Sequence, residues 1–344
     1  MVGRARDGAG RRSRHPGSPP RALLALLALA ALLSLTGCEA VRGLAGGAEG
    51  SGSVAREVPP VDPAAGDVDE DDIDTDDRVD TAEAADEPDE PEEASGQTTP
   101  DPDTLAASFA NLSAELGGQY AVAAVPVGGA EPVVAAGAVG EPYTAWSTSK
   151  VPVALAVLAD GYSPGPDVRA SMTASDNEAA RRLWALLGEP SSAAAASTAQ
   201  VRAHGDGATT IESRTLRAEF TAFGQTGWSV GQQARFAAQL PCSERGGVIV
   251  GLLEQVVPGQ RWGMAAAVPG SAVKGGWGPG HLPGSGGGYL VRQLAIVTVD
   301  GRRYGVALAA VPANGSFDTG VAELNRLAQW VTDALGQDRT VVGC

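Results

Sequence analysis

The segment Ser147-Thr148-Ser149-Lys150 places a hydroxyl group and an amine three residues apart. Residues three apart on a helix are neighbours on one face, so Ser147 and Lys150 are expected to project together. A serine hydroxyl is a weak nucleophile until a neighbouring base takes its proton. Lysine can act as that base when burial lowers its pKa, whereas arginine stays protonated in proteins. The spacing therefore predicts a serine nucleophile activated by lysine, although an ordinary N-cap serine with a surface lysine would have the same pattern.

Lysine is rare in this chain, which makes its positions informative. Only Lys150 and Lys274 are lysines among 25 basic side chains, and nearly every other need for a cation is met by arginine. Two further short motifs accompany them: Ser175-Asp176-Asn177 and Lys274-Gly275-Gly276. Each motif alone is weak evidence for a site. The three motifs in this order make a more specific pattern.

The three motifs in this order, after two predicted strands, resemble those of the penicillin-recognising serine enzymes, the class A β-lactamases and DD-peptidases. The resemblance covers residues 104–340, nearly the whole predicted domain. It implies an α+β, β-lactamase/transpeptidase-like fold, in which a reduced all-helical lobe lies beside a five-stranded antiparallel sheet. It also implies that β-lactams or a cell-wall peptide are the ligands, and that neither a metal nor an organic cofactor is needed.

The resemblance assigns a role to each polar residue of the motifs. Ser147 would be the acylated nucleophile and Lys150 its base. Ser175 would pass a proton to the leaving nitrogen. Lys274 would lie opposite Ser175, supply charge for a substrate carboxylate and depress the pKa of its neighbours. These four residues are the predicted catalytic group.

Substrate binding, by the same resemblance, falls to Asn177, Gly275, Gly276 and Trp277. Asn177 would contact the substrate amide, and the N–H groups of Ser147 and Trp277 would form an oxyanion hole. The third motif departs from the usual K-T-G or K-S-G of the family. Gly275 lacks the hydroxyl that, in the family, binds a substrate carboxylate.

Release of the acyl group is the second departure. Class A enzymes activate a water with the glutamate of an E-x-x-L-N loop, and this sequence has no such loop. Glu212 lies at roughly the right distance after Ser175, and Glu219 is another candidate, but neither has the family's neighbouring residues. The sequence therefore predicts acylation of Ser147 followed by slow deacylation.

The apolar spacing predicts the elements that must position these residues. Helices are expected over 102–118, 148–160, 178–188, 231–240 after a capping box at Ser229, 248–256 and 319–336. Strands are expected over 119–127, 131–139, 271–278, 289–301 and 302–311, with an irregular region from about 189 to 227. This order favours one antiparallel sheet covered by the terminal helices, with the central helices as a second lobe and a cleft between them.

The region before the domain has a different composition. Residues 1–37 combine a basic start with a 14-residue apolar run, and the motif Leu35-Thr36-Gly37-Cys38 resembles a bacterial lipobox. A lipoprotein signal peptide over 1–37 and lipidation of Cys38 are expected, with a plain secreted protein as the alternative. The chain would then be anchored to the outer face of the cell membrane.

Residues 38–103 are predicted to be a disordered linker because the stretch 59–103 has 19 acidic residues and one basic residue. This linker accounts for the net charge of −16, so the domain at 104–344 is nearly neutral. Nucleic acid is therefore not expected as a partner, and a monomer is expected. Outside the cytoplasm Cys242 and Cys344 are expected to form a disulfide, with two free thiols as the alternative.

Two other functions are compatible with the sequence. The segment GWSVG at 227–231 matches the nucleophile elbow of α/β-hydrolases, with His204 or His281 to complete a triad, but no buried strand precedes it. Ser229 fits better as a helix N-cap. The more serious alternative is a non-catalytic relative that keeps the fold and binds a cell-wall peptide or a partner protein. The three histidines of the chain argue against a zinc site.

Overall fold

The structure of this chain is a computed structural model that describes residues 101–344. The expected signal peptide at 1–37, the lipidation site Cys38 and nearly all of the linker at 38–103 lie outside the described residues. Among residues 101–344, no helix is long and apolar enough to cross a membrane.

Five strands form a single antiparallel sheet in the described part of the chain. They are β1 (Gln119–Pro126), β2 (Val134–Gly137), β3 (Ala272–Pro279), β4 (Tyr289–Val299) and β5 (Arg302–Val311). Their spatial order is β2-β1-β5-β4-β3, so β3 is an edge strand. The predicted α+β class and five-stranded sheet are confirmed.

Nine α-helices surround this sheet within residues 101–344: α1 (Pro102–Leu116), α2 (Lys150–Ala159), α3 (Pro166–Thr173), α4 (Asn177–Leu186), α5 (Pro190–Ala203), α6 (Val230–Gln239), α7 (Glu244–Leu253), α8 (Met264–Ala267) and α9 (Phe317–Leu335). Helices α1 and α9 cover one face of the sheet with a shared apolar core. Helix α6 lies on the other face, and α2 to α5 with α7 form the helical lobe. The predicted arrangement of terminal helices and central lobe is therefore confirmed.

Small side chains let α6 approach the sheet closely. The middle of β1 and β5 is rich in alanine, and Gly305 lies on β5 under α6. A Cβ atom at Gly305 would be 2.1 Å from the backbone nitrogen of Ala238, closer than any real contact. The absence of a side chain at 305 therefore fixes the distance between the helix and the sheet.

The irregular region expected from about 189 to 227 is wrong in its first part. Residues 190–203 form α5, and α3 is a second helix that the apolar spacing did not reveal. Both begin with a proline at the first helical position, where its missing N–H costs nothing. Alanine dominates α5 and has the highest helix propensity, which outweighs the weak amphipathic pattern.

The link between β4 and β5 follows its sequence. Asp300 and Gly301 have φ values of 48° and 74°, the left-handed conformations that a tight hairpin turn needs at both central residues.

Elsewhere on the surface, Cys242 and Cys344 are paired as predicted, with their Cα atoms 5.4 Å apart.

A buried carboxyl group on α9 should make stability depend on pH. Glu323 is 6% exposed, its Oε2 has no hydrogen-bond partner, and burial raises its pKa. A carboxyl whose pKa is higher in the folded state favours folding at low pH and loses that contribution as pH rises through the folded pKa. We expect Glu323→Gln to raise Tm at pH 7 and to leave it unchanged near pH 4. Thermal melts at both pH values measure this; the exposed Glu141→Gln is the control, and an equal shift at both pH values would contradict the assignment.

Candidate active site

Both lysines of the chain point at one serine. Lys274 Nζ donates to Ser175 Oγ over 2.7 Å, and Lys150 Nζ lies 3.3 Å from the same oxygen. Lys150 Nζ also donates to the carbonyl of Ser175 at 2.5 Å and to Asn177 Oδ1 at 2.7 Å. Because Ser175 Oγ accepts from the amines, its own O–H remains free to donate into the cleft. The three motifs are therefore brought together as a single site.

The backbone positions this group through α2 and α4. Residues 146–149 form one turn of 3₁₀ helix that leads directly into α2, so Ser147 and Lys150 lie at consecutive turns. Asp176 caps α4 by accepting from the N–H of Ala179 at 2.6 Å, which places Asn177 at the helix start. The helix boundary thus explains the aspartate of this motif, since aspartate is a preferred N-cap residue.

Two of the residues that shape the site have an unusual backbone. Trp146 and Ser175 have φ values of 46° and 58°, which non-glycine residues seldom adopt. Such a conformation costs about 1–3 kcal/mol and persists only where the surroundings impose it. Both are adjacent to, or part of, the predicted catalytic group, so the strain lies at the site.

The edge strand β3 lies directly against the turn that carries Ser147. A Cβ atom at Gly276 would be 2.9 Å from the carbonyl oxygen of Ala145 and 3.0 Å from the nitrogen of Ser147. Only glycine fits at 276 without moving this turn. The close approach brings the start of α2 beside the strand that carries Lys274.

Burial changes the acid–base behaviour of both lysines. Lys150 is 2% exposed, and burial lowers its pKa to about 8 from its ordinary value, with Asp176 opposing the shift. Lys274 is fully buried, and burial together with the nearby Lys150 charge holds its pKa well below the ordinary value. A lysine with such a pKa can exist as the neutral amine near neutral pH, as a general base requires.

An open cleft of about 220 Å³ contains the predicted nucleophile. Among the predicted site residues its walls include Ser147, Lys150, Ser175, Asn177, Glu219 and Trp277. Lys274 is buried behind Ser175. Lys150 Nζ bonds to Ser175 and Asn177 rather than to Ser147, and such bonds commonly rearrange when a ligand enters.

The sequence interpretation missed several cleft residues, chiefly Trp146, Arg181, Phe220, Phe223 and Gln260. Helical spacing could have revealed Arg181, which lies four residues after Asn177 on α4. The aromatic residues carry no such signal, because a tryptophan or phenylalanine in a sequence is usually core.

The glycine at 275 is explained by a neighbouring indole. A Cβ atom at Gly275 would be 2.6 Å from Trp262 Cζ2 and 2.8 Å from Cη2. The Trp262 backbone is held in place, since Gln293 donates to its carbonyl at 2.7 Å and accepts from the N–H of Met264 at 2.8 Å. The space that a threonine side chain would need is therefore filled by Trp262.

The two candidate deacylation bases differ in position. Glu212 is bound by Arg214, with Nη2 to Oε2 at 2.9 Å, and does not line the cleft. Glu219 does line the cleft, but Arg217 binds its Oε1 at 2.9 Å. The pKa of Glu219 is lowered by backbone hydrogen bonding and by Arg217. Both carboxylates are consequently weak bases in this structure.

Ser229 is the N-cap of α6 and not a nucleophile elbow. Its Oγ accepts from the N–H of Gln232 at 3.3 Å. His204 Nε2 is 2.9 Å from Ser243 Oγ, in a separate contact. The α/β-hydrolase interpretation is therefore wrong, as the antiparallel sheet also shows.

Comparison with known proteins places this architecture. No family model and no curated protein sequence matches the chain. Solved structures do: a class A β-lactamase from Mycobacterium abscessus matches with a TM-score of 0.52 at 21% identity, covering 67% of this chain and 99% of that one. A variant of the reconstructed class A β-lactamase of the last common ancestor of Gram-negative bacteria gives 0.52 at 20% identity, covering 69% and 100%.

A further ancestral class A β-lactamase gives a TM-score of 0.50 at 23% identity, covering 67% of this chain and 99% of that chain. The described domain therefore has the β-lactamase/transpeptidase-like fold, and the fold implied by the resemblance of the three motifs is confirmed. At these identities the likeness establishes the fold alone.

Proposed function

We propose that the domain is a penicillin-recognising serine hydrolase that is acylated on Ser147 by β-lactams or D-Ala-D-Ala-type peptides and deacylates slowly. The observation that carries this proposal is the convergence of Lys150 and Lys274 on Ser175 Oγ, beside the cleft that holds Ser147. Two buried lysines with lowered pKa are costly to maintain, and a surface binding protein has no need of them.

The acylation step follows from these positions. Neutral Lys150 would take the proton of Ser147 as its oxygen attacks the substrate carbonyl carbon. The negative charge that develops on the carbonyl oxygen would be stabilised by the N–H groups of Ser147 and Trp277. Ser175 would give its proton to the departing nitrogen as the C–N bond breaks, and the protonated Lys150, 3.3 Å from Ser175 Oγ, would replace that proton and return to the neutral amine. The product is an ester between Ser147 and the acyl group.

The second step is expected to be slow. Among the described cleft residues, Glu219 is the single carboxylate, and its ion pair with Arg217 makes it a weak base. A water attacking the ester would therefore receive little assistance. An acyl-enzyme that persists for many minutes is the expected species.

Attachment to the cell envelope is part of the proposal. The basic start, the apolar run and Cys38 favour a lipoprotein anchored to the outer face of the membrane. The acidic linker would hold the domain away from that surface, within reach of cell-wall peptides. A disulfide between Cys242 and Cys344 fits an oxidising compartment.

Mass spectrometry of the intact protein incubated with a penicillin tests the proposal. We expect a persistent mass increase equal to one penicillin, lost in Ser147→Ala and retained in Ser229→Ala, the serine of the GWSVG segment. Hydrolysed penicillin without an adduct would instead mean efficient turnover and would direct attention back to Glu212 and Glu219. No adduct and no hydrolysis would contradict acylation by penicillins.

A non-catalytic peptide-binding lipoprotein is the second candidate. Two contacts favour this candidate, because each departs from the family's catalytic pattern: Trp262 packs against Gly275, and Arg217 forms an ion pair with Glu219. It predicts that a cell-wall peptide binds equally well to the wild type and to Ser147→Ala, with no covalent product. A binding isotherm alongside the mass measurement separates the two candidates.

A further inference from the structure

Arg292 on β4 is a buried cation outside the predicted catalytic group. It is 0% exposed and lies opposite Gly276 in the β3–β4 register. None of the ion pairs within residues 101–344 includes it. A buried charge without an opposite charge is costly, so its retention calls for a compensating contact. Its contacts lead to the turn that carries Ser147.

The guanidinium group binds the backbone just before that turn. Arg292 Nη1 donates to the carbonyls of Tyr143 at 3.0 Å and Thr144 at 3.2 Å. The same nitrogen reaches the carbonyl of Trp228 at 3.0 Å, which joins this backbone to the residues leading into α6. Arg292 thus fixes the segment that enters the strained Trp146 and then Ser147.

A series of hydrogen bonds between side chains runs from Arg292 to the turn. Arg292 Nη2 donates to Gln233 Oε1 at 2.8 Å, and Gln233 Nε2 donates to Thr148 Oγ1 at 2.9 Å. Thr148 Oγ1 in turn donates to the carbonyl of Ala145 at 2.5 Å. All four residues are buried, so water does not compete for these groups.

The direction of every bond in this series is set by the arginine. A guanidinium group has donors and no acceptor, so the oxygen of Gln233 must face it. The amide nitrogen of Gln233 then faces Thr148 and must donate to it. The Thr148 hydroxyl is left with its proton for the carbonyl of Ala145, the same oxygen that Gly276 of β3 approaches closely.

We propose that Arg292, acting through Gln233 and Thr148, is a positioning network that holds the turn at 145–147 and thereby aims Ser147. This inference rests on the proposed function for its kinetic consequence. The residues do not touch a substrate, so their effect should fall on the rate of the covalent step rather than on the first, reversible binding. The structure offers closely matched substitutions to test it.

The principal test compares Thr148→Val with Thr144→Val in the full-length protein. Both substitutions replace a buried hydroxyl with a methyl group of similar size, but Thr144 Oγ1 has no hydrogen-bond partner. Acylation by a fluorescent penicillin is followed at several concentrations, so that the reversible binding constant and the covalent rate constant are separated. We expect Thr148→Val to lower the covalent rate constant at least about tenfold with binding changed less than about twofold, and Thr144→Val to change neither. A covalent rate constant within twofold of wild type in Thr148→Val would overturn the proposal.

Gln233→Glu separates positioning from simple stability. A glutamate would still accept from Arg292 and would give the buried cation an opposite charge, so Tm should stay or rise. The ionised carboxylate has no proton for Thr148, whose hydroxyl would then donate to residue 233 and release Ala145. We expect slower acylation in a protein that is as stable as wild type. Unchanged acylation in that stable protein would show a structural role alone.

Amide hydrogen exchange tests the positioning network independently of acylation. If the wild type is not acylated at all, that result counts against the proposed function, and the exchange measurement still tests the network. Peptides covering 143–150 should exchange faster in Thr148→Val and in Gln233→Glu than in wild type, and not in Thr144→Val. Equal protection in all four proteins would overturn the network whatever the outcome with penicillin.

Discussion

Replacing Lys150 with arginine is expected to slow acylation of Ser147 by about 10²–10⁴-fold, the usual contribution of a general base. Arginine preserves the positive charge and most of the length of the side chain but does not give up its proton. The variant therefore isolates the basic function from the charge. Stopped-flow or quenched measurements of acyl-enzyme formation with a chromogenic cephalosporin give the rate constant, and Tm confirms that the protein folds.

The pH profile of wild type is the internal control for this prediction. With a pKa of about 8 for Lys150, the neutral amine increases as pH rises toward that value. Acylation should accelerate about tenfold for each pH unit below 8 and level off above it. The arginine variant should lack this rise. A wild-type profile that is flat between pH 6 and 9 would mean that another group takes the proton.

Introducing the hydroxyl that the third motif lacks should destabilise the protein. In Gly275→Thr the new Cβ would meet the Trp262 ring at 2.6 Å, and the ring cannot retreat easily because Gln293 holds its backbone. Overpacking of this kind costs about 1–3 kcal/mol. For a domain of this size that corresponds to a fall in Tm of roughly 2–12 °C.

A double-mutant cycle makes the cause explicit. If the clash with Trp262 is responsible, Gly275→Thr should cost much less in a Trp262→Ala background, giving a coupling of roughly 0.5–3 kcal/mol. Gly140→Thr is the control, since nothing lies within 4 Å of a Cβ there. Additive effects of the two substitutions would mean that Trp262 is not the obstacle.

The sequence was most informative where chemistry and backbone geometry depend on a few adjacent residues. The capping role of Ser229, the turn at Asp300-Gly301 and the five strands could all be predicted, since each follows from local propensity or apolar period. The three motifs pointed to residues that the structure brings within hydrogen-bond distance around Ser175.

What could not be predicted depends on contacts between distant parts of the chain. Helix α5 has little apolar pattern, so its alanines resembled a loop. The reason for Gly275 lies in Trp262, thirteen residues earlier, on a segment held by Gln293 and Asn325. Likewise nothing near Arg292 in the sequence indicates that its partners are residues 143, 144, 228 and 233.

The contact at Gly305 has a consequence for how this protein can vary. At Gly305 the backbone of α6 lies directly against β5, with no side chain between them. A larger residue at 305 therefore cannot be accommodated by moving a neighbouring side chain. A saturation library at this position should return glycine almost alone, while neighbouring buried alanines tolerate exchange for other small residues. A larger residue at 305 would displace α6, and Gln233 would move with the helix. A variant that folds because of compensating substitutions elsewhere is therefore still expected to be acylated at a different rate. Substitutions at position 305 are therefore constrained by both the packing of the fold and the geometry of the site, although Gly305 belongs to neither the cleft nor its motifs.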